Sequence, residues 1–115
     1  MTVTIFHNPR CSKSRQTLAL LQERGIEPTV VEYLNTPPSA DTLQGILNQL
    51  GMTPRDLMRK KEDAYREANL SDDTLGDNDL VAAMVAHPIL IERPIVVANG
   101  KAAIGRPPEN VLSIL

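Results

Sequence analysis

The sequence predicts an α/β fold built on a four-stranded mixed sheet, and three features carry that reading. A β-branched run, Thr2–Phe6, is followed by a helical stretch and a second β-branched run, Thr29–Leu34. Strand, helix and strand within some thirty residues form a βαβ unit with parallel strands and a right-handed crossover. Near the other end Asn99-Gly100 separates the runs Pro94–Ala98 and Lys101–Ile104, and this dipeptide is a strong signal for a tight antiparallel hairpin. Between the two lies a block of helix-forming sequence.

Each element follows from local chemistry. The first strand ends at His7-Asn8-Pro9, which breaks regular structure. From Ser12 the spacing of Ser14, Thr17, Leu18 and Leu21 marks one helical face, widened by Leu20, and Gly25 supplies a left-handed stop. The two parallel strands are expected to be mostly buried. Asn35-Thr36-Pro37-Pro38 is a loop. Ser39 caps a helix with the stripe Leu43, Ile46, Leu47 and Leu50, stopped by Gly51. Thr53-Pro54 with Asp56 reads as a capping box with proline at the first helical position, opening a helix that carries Leu57 and Met58 and reaches Arg59-Lys60-Lys61. A weaker helix covers about 63–68. Another starts at Asp77, places Leu80, Val81, Met84 and Val85 on one face, and ends before His87-Pro88. A last helix follows Pro107-Pro108, with Val111, Leu112 and Leu115 inward. A parallel pair joined to an antiparallel hairpin in one sheet is the thioredoxin-like arrangement, with a helical insertion at about 39–86 lying beside the sheet. Residues 1–115 are expected to form a single domain.

Composition narrows the function. The chain has 115 residues, 42% of them hydrophobic, with no Trp and a net charge of −2. That balance argues against a basic nucleic-acid binder. No apolar run approaches the roughly 20 residues of a membrane span. The N-terminus does not read as a secretory signal. One cysteine excludes an intramolecular disulfide and points to the reducing cytosol. No apolar stripe is left over after the core is assigned, so a monomer is expected.

Cys11 is the one strong nucleophile. It stands between a strand and a helix, where unpartnered backbone N–H groups carry partial positive charge and favour a thiolate. Arg10, Lys13 and Arg15 add positive potential. A lone cysteine can equally be structural, but these neighbours favour a reactive thiol. The same loop, with the hydroxyls of Ser12 and Ser14, could hold an oxyanion. Ser14 stands where a Cys-x-x-Cys motif would have its second thiol, so any disulfide must form with an outside thiol. In a thioredoxin-like sheet the segment entering the third strand passes beside the cysteine, often through a cis-proline. Pro94 is the candidate, which would turn Arg93 toward the site.

His7-Asn8-Pro9-Arg10-Cys11-Ser12-Lys13-Ser14-Arg15, then Thr17-Leu18, together with the stretch from His87 to Val97, closely resembles the glutaredoxin-coupled arsenate reductase family. The segments Tyr33–Ser39, Leu57-Met58-Arg59-Lys60 and Ile104-Gly105-Arg106-Pro107 are similar to it as well. The likeness runs over essentially the whole chain. The end at Leu115 and the loop Arg-Cys-Ser-Lys-Ser look like a shorter chromosomal branch. The resemblance implies that Cys11 attacks arsenate, that Arg59, Arg93 and Arg106 bind the oxyanion, and that His7 and Ser14 tune the thiolate. It implies glutathione as co-substrate and glutaredoxin as partner in arsenic detoxification, with no metal or prosthetic group. Two other readings stay open: a glutathione-dependent thiol/disulfide reductase with another substrate, and a thiol-responsive transcription regulator that binds RNA polymerase.

Overall fold

In the computed structural model, which describes residues 2–115, the chain divides into two compact units. One comprises the residues up to Thr36 together with Arg93–Leu115, and the other is Pro37–Glu92. The α-helices of the second unit run from Ala40 to Ala86, within the expected 39–86.

The first unit holds the sheet. Strands β1 (Val3–Phe6), β2 (Thr29–Val31), β3 (Ile95–Ala98) and β4 (Lys101–Ile104) lie in the order β2-β1-β3-β4. β1 runs parallel to β2 and antiparallel to β3, and β3 is antiparallel to β4. The β3–β4 turn is the predicted Asn99-Gly100, with positive φ at both residues (56° and 73°), the backbone that matches strand twist in a two-residue hairpin. Register sets Ile5 opposite Val96 and Val3 opposite Ala98. These four share one sheet face by the two-residue alternation. Leu21 of helix α1 (Ser12–Glu23) and Val111 and Ile114 of a closing 3₁₀ segment (Pro108–Ile114) cover that face as one core.

Helix α1 ends in a Schellman motif. The Gly25 N–H donates to Gln22 O and the Ile26 N–H to Leu21 O, with Gly25 at φ 74°.

Two expectations for this unit are corrected. β2 is not buried: it is the sheet margin, and Thr29 and Val30 are exposed. It also stops at Val31, because the Glu32 carbonyl accepts the Asn35 and Thr36 N–H groups and turns the chain out of the ladder. The closing segment is 3₁₀ rather than α. Its inward residues therefore recur every three positions, Pro108, Val111 and Ile114, leaving Leu112 and Leu115 half-buried.

The second unit packs α2 (Ala40–Leu50) and the short α3 (Pro54–Leu57) against α5 (Asp77–Ala86), while α4 (Asp63–Glu67) lies against the 3₁₀ turn Pro88–Leu90. Leu43, Ile46, Leu47, Leu80 and Met84 are among its buried side chains. Ser39 caps α2 through its hydroxyl, which accepts the Thr42 N–H at 3.1 Å. The Thr53/Asp56 capping box forms as read, with both reciprocal bonds. α3, however, is a single turn and does not reach Lys61. Met58 is extended and bridges Ile91, while the Arg59 N–H donates to Leu90 O at 2.7 Å. Strand-like pairing at Met58 and Arg59 has displaced the helix. Among the described residues no helix is long and apolar enough to cross a membrane.

Candidate active site

Cys11 is the N-cap of α1. Its N–H donates to Asn8 O at 3.0 Å, and its carbonyl accepts the first helical bond from the Arg15 N–H at 3.0 Å. The Asn8 carboxamide Oδ1 accepts the Arg10 N–H at 3.0 Å. Asn8 therefore ties the loop at two points, and it is 5% exposed. No side-chain oxygen caps the helix. The N–H groups of Ser14 and Lys13 act instead on the Cys11 sulfur.

Two arginines reach the same atom. The Arg106 Nη2 donates to Sγ at 3.4 Å, and its Nε donates to the Arg93 carbonyl at 2.8 Å. The Arg93 side chain also donates to the thiol. The Arg93-Pro94 peptide is cis, as the reading of Pro94 anticipated, and so is Arg106-Pro107. Burial alone would push the thiol up. The N–H groups of Ser14 and Lys13 and the Arg93 guanidinium outweigh it, and the thiol lies below its usual range. A thiol shifted toward its ionised form and flanked by these donors can attack an electrophile that carries negative oxygens.

Behind this cluster His7 and Ser14 are buried. The His7 Nδ1 and Ser14 Oγ are 2.6 Å apart, and Oγ also accepts the Asn8 N–H at 3.0 Å. The Ser14 hydroxyl, expected to face an oxyanion, is instead fully enclosed. Ser14 meets the sulfur through its backbone N–H, and His7 acts by fixing Ser14. Burial pulls the His7 imidazole below its ordinary value, Glu32 opposes that, and Arg15 adds to it. Because the folded state resists protonation, the unfolded chain takes up the proton first as pH falls. Stability should therefore decline below about pH 6.5. In His7→Asn that part of the acid slope, read by urea titration at several pH values, should vanish.

Ser12 stands exposed at the first helical position. Arg59 belongs to the second unit. There its Nη1 donates to Glu92 Oε1 at 2.7 Å and its Nε to Glu62 Oε1 at 3.3 Å. Burial alone would lower its pKa, but these carboxylates, Glu92 foremost, raise it and keep the guanidinium charged. Among the described residues no group of three or more His, Cys, Asp or Glu gathers to hold a metal.

Gly105 is a positioning residue that sequence reading passed over. A Cβ there would overlap Thr17 Oγ1 and lie 2.7 Å from Pro94 Cγ. Its N–H donates to Pro94 O at 2.9 Å. Thr17 is buried because its hydroxyl donates to Lys13 O at 2.8 Å. Helix α1, the cis-proline and the end of β4 thus meet at one point, with Arg93 and Arg106 each one residue away. Gly105→Ala should cost about 1–3 kcal/mol by overpacking, read as a lower urea midpoint. Thr17→Ala in the same chain should restore part of it.

The ArsC family model matches residues 6–114. The chain is 54% identical to "Arsenate reductase" of Neisseria meningitidis over 98% of this chain and 97% of that protein. It is 62% identical to "Uncharacterized protein YfgD" of Escherichia coli K12 over 98% of this chain and 96% of that one. Among solved structures, "Arsenate reductase from Vibrio cholerae" superposes with a TM-score of 0.97 at 58% identity, covering all of this chain and 98% of that one.

Proposed function

The chain belongs to the ArsC family, and from that premise we propose that it reduces arsenate to arsenite at Cys11, with glutathione and glutaredoxin supplying the reducing thiols. The carrying observation is the Cys11 sulfur under Arg106 Nη2 at 3.4 Å, the Arg93 guanidinium and two helix N–H groups. These donors fit a thiolate that attacks arsenic(V) and displaces an oxygen as water. Guanidinium forks suit a tetrahedral oxyanion better than ammonium groups do. A glutathione thiol then attacks, and two sulfurs give up two electrons to arsenic. Arsenate, the Cys11 thiol and one glutathione yield arsenite, water and a Cys11–glutathione disulfide. Glutaredoxin with further glutathione returns the thiol, an outside thiol being needed because the chain has one cysteine. On this reading the protein works in the reducing cytosol as a monomer, without bound metal or cofactor.

The test is arsenite production by the purified protein with arsenate, glutathione and glutaredoxin. Arsenite is expected. If none forms while Cys11 is still readily glutathionylated, the reading gives way to a thiol/disulfide reductase on the same fold.

A further inference from the structure

We propose that the pocket beside Cys11 bounded by Arg10, Glu32, Leu34 and Asn35 is the seat of glutathione's γ-glutamyl end, Glu32 taking its ammonium and Arg10 its carboxylate. The proposal rests on glutathione being the reductant and adds where and how it binds.

The pocket has a volume of about 360 Å³ and belongs wholly to the sheet-bearing unit. That is within the roughly 300–1,000 Å³ of small-molecule sites. Its floor is His7 and Asn8, both buried. Its walls are held by backbone bonds rather than loose side chains. On one side the Cys11 and Arg10 N–H groups bond to Asn8. On the other, the Asn35 and Thr36 N–H groups bond to the Glu32 carbonyl. The nucleophile is the residue after Arg10, so the pocket's Arg10 wall is continuous with the loop that carries the sulfur.

Charge selects the ligand. Arg10 and Glu32 take part in none of the ion pairs among the described residues, which join Arg59 to Glu62 and Glu92 and Arg66 to Asp63. One cation and one anion on a shared rim suit a zwitterion. An inorganic oxyanion would be repelled by Glu32, and a simple neutral thiol would use neither charge. Glutathione carries an α-ammonium and an α-carboxylate on one carbon, followed by two methylenes. Leu34, 37% exposed, offers those methylenes an apolar wall. The Asn35 carboxamide is suited to the amide beyond. Arg93 and Arg106 are already turned on the sulfur, so the reductant needs a separate footing.

The test contains no arsenic, so its outcome is independent of the substrate assignment. Oxidised glutathione reacts with the thiolate so that one S–S bond forms as another breaks: Cys11–S⁻ plus GSSG gives Cys11–S–SG plus GS⁻. The rate is followed by mass spectrometry, beside the rate with hydroxyethyl disulfide, which has neither charge. Glu32→Gln should slow the glutathione reaction about three- to tenfold and leave the hydroxyethyl disulfide reaction within about twofold. Arg10→Gln should do the same once each rate is divided by that for iodoacetamide, which corrects for any change in the thiolate. The unmodified protein gives an independent arm: acetylating both amino groups of oxidised glutathione should slow its reaction to the Glu32→Gln rate. Equal slowing of both disulfides by Glu32→Gln overturns the proposal, as does no slowing of either, or indifference to acetylation.

Discussion

Cys11→Ser is expected to lower arsenite formation by about three orders of magnitude or more, to the background of the assay. The loss has two sources. A serine hydroxyl is barely ionised near neutral pH, so the N–H groups of Ser14 and Lys13 and the two guanidiniums would have no anion to hold. An oxygen at this position also cannot give up electrons to arsenic or form a disulfide with glutathione. Both the bond-forming and the electron-transfer halves of the reaction fail together. The substitution is nearly isosteric at a site 8% exposed, so the far-ultraviolet circular dichroism and urea midpoint should stay close to those of the unmodified protein. Arsenite is read by arsenic speciation chromatography. The same thiol yields a pH experiment. Its pKa is lowered, so alkylation by iodoacetamide should reach half its limiting rate below the value of about 8.5 of a free cysteine. A midpoint at or above about 8.5 would leave Cys11 an ordinary thiol.

Arg106→Ala carries the second large effect, a loss of arsenate turnover of about 10²–10³-fold. Arg106 is anchored by Nε–H on the Arg93 carbonyl and aims Nη2 at the sulfur, so its fork is fixed before substrate arrives. Arg106→Lys keeps the charge but cannot make both bonds, and should recover little. Two contributions need separating. Losing the guanidinium moves the alkylation midpoint to higher pH, since a cation that favours the thiolate is gone. It also removes a donor to the oxyanion. Turnover compared at a pH above both thiol midpoints isolates the second contribution, and most of the deficit should persist there. Arg93→Ala should behave alike. Full turnover in both alanine variants would dismiss these arginines from the oxyanion site.

Much of this was legible in the residues. The first β-branched run, the Asn99-Gly100 hairpin and the Thr53/Asp56 capping box are local devices, and each formed where its residues stand. Cys11 at the helix start and Arg93 before a cis-proline followed from strand order, which local signals define well. What was misread depends on distant partners. The exposure of β2 is decided by which strand lies at the margin, and a three-residue run cannot announce it. α3 stops at Leu57 because Ile91, more than thirty residues later, captures Met58. Glu62 could have been found as the i+3 partner of Arg59, but Glu92 could not. The Ser14 hydroxyl points inward because His7 and Asn8 claim it. Gly105 gives no sign of its own, since its φ is ordinary and only the Thr17 and Pro94 side chains demand an absent Cβ.

The absence of a capping oxygen on α1 has a consequence for the reaction cycle. When the thiol is ionised, its negative charge stands at the N-cap, where a serine or aspartate oxygen would ordinarily sit, and it meets the field of the first helical N–H groups. Once it bonds to arsenic or to a second sulfur, that charge is gone and the helix would be left with an open end. The oxygens of a bound arsenic group lie one bond away and carry the charge that the sulfur has lost. The same donors can pass from one acceptor to the other without the backbone rearranging. On the proposed cycle the covalent arsenic intermediate would cap the helix in place of the thiolate, and reduction of the Cys11–glutathione disulfide would hand that task back.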